Sequence, residues 1–83
     1  MDAIEITETI RDEIDKVMAL NYTKLYVNVD DLENGFGFLR VLAMKGYKDI
    51  IVYEGTFPID VCYRVLDLLA QSNYQIKDFT MRR

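Results

Sequence analysis

At Asn21-Tyr22, Gly46-Tyr47 and Asn73-Tyr74 the chain leaves a helix-like stretch and enters a strand-like one. The three junctions stand 25 and 27 residues apart. Each sets Asn or Gly, which tolerate the left-handed conformation that closes a helix, ahead of a tyrosine. Read as three helix ends, they predict a small α/β domain in the order α-β-α-β-α-β, with a three-stranded, mainly parallel sheet.

Hydropathy patterning fills in the elements. Ile6, Ile10, Ile14, Val17 and Met18 recur at spacings of three and four, which predicts an amphipathic helix from about residue 7 to Leu20. Ala3 to Ile6 reads either as its first turn, capped by Asp2 with Glu5 three residues on, or as a short strand. Thr23 to Asp30 alternates, with Leu25, Val27 and Val29 on one side and Tyr26, Asn28 and Asp30 on the other. A second helix is expected to carry Phe36, Leu39, Leu42 and Ala43, starting late because Gly35 and Gly37 weaken its first turns. Lys48 to Glu54 forms a strand apolar on both faces, closed by a turn at Gly55-Thr56. Pro58 opens a third helix over 58–72, and Tyr74 to Met81 forms an edge strand.

If the strands lie in chain order, right-handed crossovers put the helices predominantly on one face of the sheet. The other face then carries Tyr26, Asn28 and Asp30, beside Ile51 and Tyr53 or Ile50 and Val52. A bare face on a parallel sheet is rare, so a partner, a second copy or a displaced helix is expected to cover it. Tyr26, Asn28 and Tyr53 are the candidate interface residues, since tyrosine suits a contact that is apolar with a polar tip.

Composition narrows the function classes. Eighty-three residues make one domain, and an apolar fraction of 51% is more than one small core needs. A net charge of −4 argues against nucleic acid as a partner, and no apolar run is long enough to cross a membrane. Acids crowd the first helix, whereas Lys77, Arg82 and Arg83 make the end basic. Without histidine, the chain lacks the commonest general base and metal ligand; its single cysteine, Cys62, sits among Val and Leu and reads as a core residue. The loop Asp30, Asp31, Glu33 and Asn34 lies where open parallel sheets bind ligands, and its oxygens suit a divalent cation. Helix capping and turn chemistry explain the same residues more simply.

Leu25-Tyr26-Val27-Asn28-Val29-Asp30, Gly37-Phe38-Leu39-Arg40-Val41-Leu42, Ile50-Ile51-Val52-Tyr53 and Pro58 to Leu69 together resemble the later part of a STAS domain, the anti-sigma-factor antagonist type. The resemblance implies a small binding module switched by phosphorylation in the acidic loop. That loop holds no Ser or Thr between Asp30 and Phe38, and the family's two N-terminal strands have no counterpart beyond Ala3 to Ile6. Asn34 and Gly46-Tyr47 also look like parts of a GNAT-type acetyltransferase, without its pyrophosphate-binding Gly-rich turn.

These features point to a small cytoplasmic protein-binding or regulatory module, with no catalysis and no cofactor. It would act through an exposed sheet face or the acidic loop, on a protein partner or as a homodimer. The alternative is a small metal- or ligand-binding enzyme domain using Asp30, Asp31 and Glu33. A third reading is an acidic inhibitor from a mobile element, mimicking a negatively charged ligand.

Overall fold

The computed structural model describes residues 2–81, so the basic pair Arg82 and Arg83 lies outside the described residues. The first helix, α1, runs Ala3–Met18. Asp2 caps it, its carboxylate accepting the Glu5 backbone N–H at 2.9 Å, which makes Ala3 to Ile6 helix rather than strand. The stripe of Ile6, Ile10, Ile14 and Val17 is buried. Asn21, with φ 68°, takes the left-handed conformation and turns the chain toward the sheet.

From here the structure departs from the expected order. Strand β1 spans Lys24–Leu32, β2 Phe36–Lys45 and β3 Lys48–Pro58; helix α2 follows at Ile59–Ala70 and strand β4 at Ile76–Asp78. The expected second helix is therefore strand β2. Its apolar residues satisfy both periods: Phe36, Leu39, Leu42 and Ala43 read as a helical stripe, while Gly37, Leu39, Val41 and Ala43 form a buried strand face. The turns decide between the two. Asn34 (φ 70°) and Gly35 (φ 79°) are both left-handed, which reverses the chain into a hairpin pairing Leu32 with Phe36. Gly46 (φ 61°) makes the next hairpin, pairing Lys45 with Lys48, instead of ending a helix. Gly55-Thr56 is no turn either; β3 runs through it to Pro58, the N-cap of α2.

The sheet order is β3-β2-β1-β4, with β1–β2 and β2–β3 antiparallel and only β1–β4 parallel. A four-stranded, mostly antiparallel mixed sheet thus replaces the three-stranded, mainly parallel one. β4 is short, but it is held past its end: the Phe79 N–H donates to the Val27 carbonyl at 2.9 Å, and Val29 N–H to Thr80 Oγ1 at 2.9 Å.

Both helices bury their stripes against one side of this sheet. Leu25, Val27 and Val29 of β1, Leu39, Val41 and Ala43 of β2, and Val52 of β3 form one core with Ile6, Ile10 and Ile14 of α1 and Cys62, Val65, Leu66 and Leu69 of α2. Each such Ile or Leu contributes roughly 1.5–3 kcal/mol by leaving water. α2 sits close to β2 because Gly37 has no side chain. A Cβ there would stand 2.7 Å from Ile59 Cδ1, 3.1 Å from Cys62 Sγ and 3.2 Å from Val29 Cγ1. Gly37→Val should therefore destabilise the fold by about 1–3 kcal/mol in urea unfolding. An unchanged midpoint would contradict this approach of α2 to the sheet.

Candidate interaction surface

The face of the sheet away from the helices is built by register. Across β1, β2 and β3 the pairing aligns five rows: Leu32, Phe36 and Pro58; Asp30, Phe38 and Thr56; Asn28, Arg40 and Glu54; Tyr26, Leu42 and Ile51; and Lys24, Met44 and Asp49. Lys77 of β4 stands beside Tyr26, and the Phe79 ring stacks on that of Tyr26 at 5.2 Å between centroids. Large apolar side chains stay open to water here: Leu32 is 39% exposed, Phe36 46%, Ile51 53% and Phe79 55%.

The polar row at the centre is already paired. Arg40 Nε donates to Glu54 Oε2 at 3.2 Å, and the guanidinium carbon stands 5.1 Å from the centroid of the Phe38 ring. Asn28 Nδ2 donates to Asp30 Oδ1 at 3.0 Å. A partner covering this row would meet groups that have already found one another, which lowers the desolvation cost. A shallow hollow of about 130 Å³ lies between Tyr26, Arg40, Leu42 and Phe79. A wider open groove of about 420 Å³ continues along the β1–β4 seam, past Lys24, Gln75 and Lys77.

The residues singled out from the sequence distribute unevenly. Tyr26 and Asn28 lie on this face. Tyr53 does not. A bulge between Val41 and Leu42 pairs Val41 with Tyr53 and Leu42 with Ile51, so Tyr53 turns to the helix side and stacks on Phe57 at 6.4 Å. Asp30 and Asp31 belong to the end of β1, while Glu33 and Asn34 form the hairpin tip, all exposed. They line a β-hairpin, not a crevice beyond a parallel sheet. Among the described residues, no three Asp, Glu or Cys groups are placed to hold a metal ion. Sequence reasoning misses Phe36, Phe38, Arg40 and Leu42 as site residues because their stretch reads as helix. Asn34-Gly35 is the signal that puts them beside Tyr26.

Two titratable groups elsewhere are perturbed. Burial raises the pKa of the Cys62 thiol, which points at the Gly37 and Phe57 carbonyls and behaves as core. The Tyr74 hydroxyl donates to the Asp15 carboxylate, tying the chain beyond α2 back to α1. That hydrogen bond, then burial and the carboxylate's charge, raise the Tyr74 pKa.

Neither a family model, nor a curated protein, nor a solved structure matches the chain. No described helix is long and apolar enough to cross a membrane.

The Tyr74 pKa is raised on folding, so the stability from its bond to Asp15 is fully present below the unfolded value of about 10. It is lost as pH climbs through the higher folded value. In urea titrations the gap between the wild type and Tyr74→Phe should hold steady at neutral pH and narrow above about pH 10. A gap that widened with alkali would contradict the assignment.

Proposed function

We propose that this protein is a small intracellular binding module, without catalysis, whose contact surface is the helix-free face of its sheet. The observation that carries the reading is the cluster of half-exposed Leu32, Phe36, Ile51 and Phe79 around a central row whose polar groups are already paired. Large apolar side chains left open on one face, here Leu32 with Phe36 toward one end and Ile51 and Phe79 toward the other, are typical of places where proteins meet.

The magnitudes set the scale of the binding. Each of the four large side chains still has about half its surface to bury, worth roughly 1 kcal/mol apiece. Tyr26, Phe38, Leu42 and Met44 add smaller amounts, being partly sheltered already. Association costs several kcal/mol in lost freedom, so the face alone supports an affinity nearer micromolar than nanomolar. A regulatory contact that forms and releases fits that range.

The test places a photo-crosslinking amino acid at position 51 on the face and, separately, at position 12 on the solvent side of α1. In cells of the native host, irradiation should give protein adducts at position 51 and few at position 12. Adducts at position 12 with none at 51 would overturn the reading and move the contact surface to the acidic helix.

A further inference from the structure

We propose that the occupant of the helix-free face is a second copy of this chain, docked face to face about a two-fold axis perpendicular to the strands. The proposal rests on the reading of that face as the contact surface and adds the identity of the partner.

Charge is separated along the length of the sheet. At the end formed by the β1–β2 hairpin stand Asp30, Asp31 and Glu33, with no described Lys or Arg among them. The opposite end, where β1 begins and β2 turns into β3, carries Lys24, Lys45, Lys48 and Lys77 against the single acid Asp49. Asp30, Lys24 and Lys77 lie on the face itself and Glu33 and Lys48 at its two ends, while Asp31 pairs with helix-facing Gly37 and Lys45 donates to the Leu20 carbonyl at 3.3 Å. Between the ends, Arg40 and Glu54 neutralise each other.

A two-fold axis perpendicular to the strands lays the acidic end of each copy over the basic end of the other, and does so twice, because the interface is isologous. An axis along the strands would set acid on acid and lysine on lysine. With the axis through the Asn28, Arg40 and Glu54 row, the same arrangement sets Phe38 of each copy over Leu42 of the other, Asp30 over Tyr26 and its neighbour Lys77, and Leu32 and Phe36 over Lys24 and Met44. It also stacks the two paired polar rows near the axis. Two sheets meeting this way would lie about 10 Å apart, as in a β-sandwich, with the helices outermost.

The dimensions suffice. β1 has 9 residues, or about 30 Å at strand spacing, and four strands span about 19 Å. With strands of 9, 10, 11 and 3 residues, the flat footprint is roughly 540 Å² per copy before side-chain relief is counted, which brings the pair just above the approximately 1,000 Å² that separates specific contacts from incidental ones.

The experiment measures solution mass by light scattering at about 200 µM, above the micromolar Kd such an interface supports. The wild type should run at twice the 9.7 kDa chain mass. Asp30→Lys with Glu33→Lys makes both ends basic, and Lys24→Glu with Lys77→Glu makes both ends acidic. Each variant alone should be monomeric while keeping the wild-type circular dichroism. Mixed in equal amounts, they should recover the dimer mass, because both contacts of the mixed pair regain opposite charge. A monomeric wild type, a dimer indifferent to either reversal, or a mixture that stays monomeric would each overturn the proposal. Failure here is distinguishable from failure of the wider reading. A monomeric wild type whose position-51 probe still captures a different protein removes the second copy and leaves the face as the contact surface.

Discussion

The left-handed pair Asn34 and Gly35 is the constraint on which the rest of the architecture depends. It folds β2 back on β1 in a register that sets Tyr26 opposite Leu42, Asn28 opposite Arg40 and Asp30 opposite Phe38. Every odd-numbered residue from Leu25 to Val29 and from Gly37 to Ala43 then faces the helices, and every even-numbered one faces away. The Gly35 carbonyl also accepts the Ile59 N–H at 2.8 Å, so the same turn anchors the start of α2. The hairpin thus sets both where the second helix begins and which side chains are left outside.

The two sides of the sheet accordingly serve two purposes. On one side, Ile6, Ile10, Ile14, Val65, Leu66 and Leu69 close over the strands and exclude water. The other side keeps aromatic and aliphatic groups in reach of solvent, separated by polar groups that satisfy each other in place. An antiparallel sheet tolerates one wet face, which a parallel sheet seldom does. The apolar character of this wet face, more than its existence, is what supports the proposed contact. Charge placed at opposite ends of the face would orient the proposed second copy.

Some of the molecule was legible before folding. The three-and-four spacing of Ile6, Ile10, Ile14 and Val17 specified α1 and its buried side, whereas its start, open between residue 7 and an Asp2 cap, is settled at Ala3 by the structure. Alternation from Thr23 to Asp30 specified β1 and the outward direction of Tyr26 and Asn28. The stretch from Phe36 to Lys45 was not legible by periodicity, because its apolar residues fit a helical stripe and a strand face equally well. Gly46 showed its left-handed conformation but not its purpose, since that conformation ends helices and turns hairpins alike. Tyr53 was placed by its even spacing from Ile51, and the bulge at Val41 and Leu42 reversed it.

The sequence by itself determined more local matters: which sides of α1 and β1 are apolar, and that Asn21 and Gly46 turn left-handed, although Asn73, read the same way, does not. These depend on neighbours within four positions, where side-chain chemistry acts directly on the backbone. Only the tertiary structure decided that Phe36 to Lys45 is a strand, that Tyr53 packs against the core from the helix side, and that Arg40 and Phe79 share a face with Tyr26. Those outcomes depend on pairing between residues 3 to 53 positions apart, whose hydrogen bonds and buried area decide between periods that the chain satisfies equally well.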